Sequence, residues 1–136
     1  MTVSEKEIKE RDLDIQAQQY QKLFYESPAG MLLLDSDGIV IKANQAILDI
    51  TGYEFDEVVG KRIFDLFVEK GHIPEAKEHV KKIISGEDLQ HITKTRHKSG
   101  EIYYSLLKET RIKLNDGSYG ILSMLMLQIL KNKKKK

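Results

Sequence analysis

SPAGMLLLDSDGIVIKANQAILDITGY, residues 27–53, is the stretch whose reading decides the fold. The apolar run Met31–Leu34 is followed by Asp37-Gly38 and a second apolar run, Ile39–Ile41. Asp and Gly tolerate the positive φ of a tight turn, so two strands joined across them read as a β-hairpin. Asn44 then opens a segment in which Ala46, Ile47 and Ile50 share one helical face. Its side chain suits an N-cap, accepting from a free N–H of the first turn. Gly52 suits the left-handed residue that ends a helix.

Outward from this stretch the punctuation continues. Glu54–Val59 makes a short turn stopped by Gly60, and Ile63–Phe67 is a compact apolar segment. Pro74 sits where a first helical turn accepts proline. Ile73, Ala76, Val80, Ile83 and Ile84 then form one apolar stripe, and Gly86 closes that helix. Three β-prone runs follow, at residues 90–97, 102–114 and 119–130, separated by Ser99-Gly100 and Asn115-Asp116-Gly117-Ser118. Two turn signals between three such runs describe an antiparallel meander. Upstream, residues 4–25 contain neither Gly nor Pro, and Ser4 with Glu7 has capping-box spacing, so a helix is expected there. Ser27-Pro28 ends it. Strand, strand, helices, three strands is an α+β order, with the helices packed on one face of the sheet.

Composition narrows the function classes. A chain of 136 residues supports one domain with a real core. Lys plus Arg (22) nearly balance Asp plus Glu (21), which gives no electrostatic case for nucleic acid. The basic excess lies in Lys131 and Lys133–Lys136, read as a solvated tail. The absence of cysteine removes thiol nucleophiles and Cys-ligated metals and fits a reducing compartment. No apolar run approaches the roughly 18 residues of a membrane span. The expectation is a cytoplasmic protein without membrane insertion.

The residues quoted above resemble the opening of a PAS domain, the sensory box of signal-transduction proteins. The match consists of an apolar strand, Asp35-x-x-Gly38, a second strand, Asn44 two residues before Ala46, and Gly52-Tyr53 closing the helix. The family continues with an acidic residue, two aliphatics and Gly-Lys, and Glu57-Val58-Val59-Gly60-Lys61 supplies them. The resemblance covers about residues 20–131. It implies a five-stranded antiparallel sheet of order 2-1-5-4-3, in which the pairing of strands 1 and 5 is inherited from the family alone. It divides the chain into a linker and dimerisation helix (1–25), the PAS domain (26–131) and a basic tail (132–136). Asp37, Gly38, Asn44, Gly52, Tyr53 and Gly60 are the structural motif positions.

Nothing in the sequence assembles an active site. There is no phosphate-binding glycine loop, no His-Glu-x-x-His and no nucleophile elbow. Asp35 and Asp37 lie at a turn, where Asp serves the backbone. His72, His79, His91 and His97 follow no metal-ligand spacing. Haem-binding relatives hold iron through a His on the long helix, nearer Ala76 than His79. His79 lies about 100° from Val80 on that helix, on its flank, and both it and His72 read as solvated or hydrogen-bonded surface residues. Haem is therefore disfavoured. Cysteinyl-flavin photochemistry and cysteine-linked chromophores are ruled out by composition, and a non-covalent small molecule is left open.

The resemblance implies a non-catalytic sensor that binds a small, largely apolar ligand or a partner and transmits the change through flanking helices. The expected setting is a homodimer within a larger bacterial or archaeal signalling protein, such as a two-component system, whose output is a kinase, cyclase or regulator. Candidate pocket residues are Met31, Leu33, Val80, Ile83, Leu122, Met124 and Met126. Both faces of the last strand are apolar, so placing Leu122, Met124 and Met126 inward follows the family's register. The alternative is a ligand-free dimerisation module with a filled core. One departure stands out: the family commonly ends its last strand in Asp-Ile-Thr, and this chain has Gln128-Ile129-Leu130.

Overall fold

The computed structural model describes residues 3–130, so Lys131 and the basic tail at 132–136 lie outside the described residues. Eleven elements follow in order: α1 (Glu5–Glu26), β1 (Gly30–Asp35), β2 (Val40–Ala43), α2 (Gln45–Thr51), α3 (Phe55–Val58), α4 (Ile63–Leu66), a 3-10 turn (Lys70–His72), α5 (Ile73–Ile84), β3 (Leu89–Arg96), β4 (Ile102–Lys113) and β5 (Tyr119–Leu130). The five strands form one antiparallel sheet in the order β2-β1-β5-β4-β3. The inherited pairing is present: Met31 faces Met124 and Leu33 faces Leu122 across β1 and β5. Gly120 faces Asp35, where a Cβ would lie 2.5 Å from the Leu34 carbonyl oxygen, closer than any side chain tolerates.

The local signals act as their chemistry dictates. Ser4 caps α1 by accepting from the Glu7 N–H. Asp35 Oδ1 accepts from the N–H groups of Asp37 and Ile39, and Gly38 takes φ +80° to close the first hairpin. Gly52, at φ +81°, ends α2 with its N–H on the Leu48 carbonyl. Glu57 Oε1 accepts from the Glu54 N–H at the start of α3.

Asn44 does more than cap. It is fully buried, and its side chain uses all four hydrogen-bonding positions. Oδ1 accepts from Ile47 N at the start of α2 and from Met31 N in β1. Nδ2 donates to the carbonyls of Phe24 and Ala29. One residue thus joins the end of α1, the linker, β1 and α2.

The core lies between the sheet and the helices. Leu32, Leu34, Ile121 and Leu125 supply its sheet side, and Ile47, Leu48, Val58, Phe67 and Ile83 its helical side. Full burial of a side chain such as Ile83 contributes about 1.5–3 kcal/mol. Phe24, Met31 and Leu33 are also buried but stand outside this cluster. Most of α1 does not pack on the domain; Phe24 is its one buried residue.

β5 carries a feature that the sequence does not announce. Leu106 pairs with Leu127 and Leu107 with Leu125, so Met126 is an extra residue, a β-bulge. The bulge switches the parity of the strand. Ile121, Ser123 and Leu125 face the helices, and beyond the bulge Gln128, opposite buried Ser105, takes that side. The other face exposes Ile92, Tyr104, Leu127 and Ile129.

A cavity with a histidine wall

α5 is held over the sheet by contacts at its C-terminus and on the elements that precede it. At its C-terminus, Arg111 Nη1 donates to the Ile84 carbonyl, and the guanidinium lies 4.0 Å from the centre of the Tyr119 ring. A cation at the carbonyl end of a helix also complements its dipole. Upstream, the Arg96 guanidinium donates to the carbonyls of Asp65 and Leu66, and Arg96 N–H to that of Phe67. These bonds fasten α4 and the segment after it to the edge strand β3.

Between α5 and the sheet lies a cavity of about 80 Å³. Its apolar wall includes Leu32 and Leu34 of β1, Ile47 of α2, Phe64 of α4, and Ala76 and Val80 of α5. Its other wall is polar. His79 of α5, His91 and Thr93 of β3, Glu109 of β4, and Ser123 and Gln128 of β5 all contribute.

The polar wall is a connected chain. His91 Nε2 lies 2.7 Å from Glu109 Oε1, and both side chains are largely buried. An ionised carboxylate only accepts, so the His91 Nε2–H donates to it. The opposite ring nitrogen, His91 Nδ1, is buried without a protein partner. The His79 ring lies 4.3 Å from the His91 ring, tilted by 59°. His79 Nε2 is 3.8 Å from Glu75 Oε1, and His72 Nδ1 donates to Glu75 Oε2 at 3.1 Å. Burial is the main influence that pushes the His79 imidazole below its ordinary value; a neighbouring positive charge on His91 would act in the same direction. Glu75, at the outer end, is held below the usual carboxylate range chiefly by the His72 hydrogen bond. Among the described residues no group of three or more His, Asp or Glu is placed to hold a metal ion.

This geometry redistributes the residues singled out from sequence. Val80 lines the cavity. Ile83 is fully buried in the core cluster beside it. Met31, Leu33, Leu122 and Met124 pair with one another across β1 and β5 on the sheet face turned away from the cavity. Met126 is exposed at the bulge. His79, read from the sequence as a solvated or hydrogen-bonded flank residue, lines the cavity beside Val80 with its Nε2 3.8 Å from Glu75. His91 and Glu109 were not singled out. Period-two alternation in β3 offers Ile92 as the natural inward residue, yet Ile92 is two-thirds exposed and His91, Thr93 and Thr95 face in. The motif positions Asp37, Gly38, Asn44, Gly52, Tyr53 and Gly60 all sit at turns and caps around β1, β2 and α2.

A sequence profile described as PAS domain matches residues 28–126. The chain belongs to the PAS domain family. Solved PAS structures superpose closely. The PAS domain of an HTR-like protein from Haloarcula marismortui is 21% identical, with 87% of this chain and 96% of that one covered and a TM-score of 0.71. A domain of a sensory box sensor histidine kinase/response regulator from Geobacter sulfurreducens is 24% identical, covering 83% and 95%, with a TM-score of 0.70. A LOV protein from Rhodobacter sphaeroides is 19% identical, covering 81% and 66%, with a TM-score of 0.67. At these identities the likeness establishes the fold. Comparison with curated protein sequences finds no match. PAS domains are sensory modules common in signalling proteins and are typically non-catalytic. Among the described residues no helix of this PAS domain is long and apolar enough to cross a membrane.

Proposed function

We propose that this PAS domain is the sensor of a larger cytoplasmic signalling protein, and that it reads a small, non-covalently held molecule in the cavity between α5 and the sheet. The observation that carries the reading is the cavity itself, walled jointly by α5, α2 and the strands, so a guest touches several elements at once. A guest biases a conformational equilibrium only through different affinities for the two states. Elements that meet at one guest provide such a difference if they move apart. A route outward supports the same reading. Ile47 lines the cavity, its N–H is held by Asn44, and Asn44 holds the Phe24 carbonyl in the last turn of α1. Denaturing the purified protein and identifying released small molecules by mass spectrometry tests the proposal. A stoichiometric compound supports it, provided that adding it back raises the melting temperature.

Assembly as a homodimer is part of this reading. Ile8, Leu13, Ile15 and Leu23 are exposed on α1, and Ile92, Tyr104, Leu127 and Ile129 are exposed together on the outer face of the sheet. A second copy of the chain is the occupant we assign to these surfaces, with a kinase, cyclase or regulator as the attached output. Sedimentation of the full chain beside one beginning at Gln21, which keeps the buried Phe24, tests it. If both remain monomers at high concentration, α1 is only a linker. The same exposed faces favour the second reading, a dimerisation module that senses nothing. That reading predicts a dimer whose stability no small molecule changes.

A further inference from the structure

We propose that the cavity takes a small primary ammonium ion of ethylammonium size, its nitrogen seated between the Glu109 carboxylate and the Ser123 hydroxyl and its alkyl group against the apolar wall. The inference rests on the sensor reading above and specifies its ligand. Size comes first. A cavity of about 150 Å³ accommodates benzene, so the 80 Å³ present here suits a guest of about three non-hydrogen atoms.

The guest's charge follows from Glu109. A carboxylate is rarely taken out of water unless it is paired and hydrogen-bonded, yet Glu109 is only 7% exposed. His91 donates to its Oε1, and among the described residues nothing else donates to this carboxylate. Its second oxygen is left without a protein partner. Ser123 is the Cα partner of Glu109 across β4 and β5 and is 5% exposed. Its hydroxyl makes no hydrogen bond among the described residues. Directly paired residues on one face of a sheet have their Cβ atoms about 4.5–5.5 Å apart, so one donor group reaches both oxygens. Both residues line the cavity, and neither oxygen is enclosed as His91 Nδ1 is.

An alkylammonium matches this pair. Its N–H groups donate to an acceptor-only carboxylate and to the hydroxyl oxygen, and such charge-assisted bonds are about twice as strong as neutral ones. Its charge offsets buried Glu109, whereas an anion would add a second negative charge there. Thr93 and Gln128 supply further acceptor oxygens on the same wall, and Leu32, Ile47 and Val80 receive the alkyl group. The other charged groups nearby leave the place open. His79 of α5 faces His91 at 4.3 Å, and burial keeps it neutral to lower pH than an ordinary imidazole. Glu75 lies behind His79, and Lys82 is exposed. Arg111, two residues along β4, is engaged with the Ile84 carbonyl and the Tyr119 ring, and among the described residues no salt bridge joins it to Glu109.

The test is calorimetric titration of the full chain with ethylammonium chloride, ethanol and sodium acetate at one ionic strength, with sodium chloride as the blank. Ethylammonium should bind about tenfold or more tightly than ethanol, which has the same number of non-hydrogen atoms. Glu109→Gln should remove that preference, and Val80→Phe, which fills the cavity without altering Glu109, should abolish binding. Because Glu109→Gln risks misfolding, the ethylammonium-to-ethanol ratio on the unaltered chain stands as an independent measure. Equal or tighter binding of ethanol, preference for acetate, or ethylammonium affinity unchanged in either folded variant overturns the ammonium ion while leaving a small-molecule sensor. So does failure of all three probes to bind. If, in addition, no small molecule is released on denaturation, the sensor reading falls with it.

Discussion

Replacing Asn44 by alanine should be the most damaging single substitution outside the apolar core. The side chain is fully buried and serves four backbone groups on four segments. Loss of the helix cap alone costs about 1 kcal/mol. The Met31 N–H and the Phe24 carbonyl are left in buried positions, at about 1–3 kcal/mol each. The Ala29 bond is part-buried, so water recovers much of its loss. A total of about 3–7 kcal/mol is expected, a large share of the 5–15 kcal/mol that holds a domain together. At about 4 °C per kcal/mol for a domain of this size, the melting temperature should fall by ~12–28 °C. Asn44→Asp is the sharper probe. It keeps the acceptor toward Met31 and Ile47 but turns an oxygen toward the carbonyls of Phe24 and Ala29. Hydrogen exchange should then show α1 opening at its last turn while α2 stays protected. Urea unfolding measures the first effect. A cost for Asn44→Ala below about 1 kcal/mol with an unchanged m-value would refute the role assigned to this residue.

The Gly120→Ala change should push β1 and β5 apart, since the new methyl meets the Leu34 carbonyl at 2.5 Å; a loss of about 1–3 kcal/mol is expected by urea unfolding, and an unchanged midpoint would argue against the register. Val80→Phe should fill the cavity and abolish guest binding with a modest loss of stability, whereas Met124→Trp, on the opposite face of the sheet, should leave binding intact; melting temperature and ligand retention, measured together, separate the two. His79 is depressed below its ordinary value of 6.5, so the folded state binds fewer protons than the unfolded one as pH falls. Its share of stability is present above pH 6.5 and is lost below it. His79→Phe should therefore flatten the acid-side decline of the melting temperature, and an identical pH profile in the variant would sink that account.

The elements of this protein were legible in its sequence because their signals are local. Asp37-Gly38, Gly52 and Gly86 mark places where the chain must turn, and each takes a positive φ at the glycine. Pro74 and the stripe from Ile73 to Ile84 delimit α5. Such signals act within a few residues, through backbone sterics and hydrogen bonds, and need no knowledge of what packs nearby. Asn44 was legible only in part: its cap to Ile47 is local, but its bonds to Phe24 and Met31 exist only once α1 and β1 are in place.

The cavity was decided by tertiary structure. β5 is apolar on both sides, so its alternation does not say which face meets the helices, and a one-residue slip exchanges the two. Register against β1 turns Ser123 and Leu125 inward, and the bulge at Met126 then brings Gln128 to the same side. The histidine wall is more distant still from any sequence signal. His79, His91 and Glu109 come from a helix and two strands, with polar residues facing inward where the pattern offers apolar ones. Only the pairing of β3 with β4 and the seating of α5 on the sheet, with Arg111 at its C-terminus, bring those three side chains together.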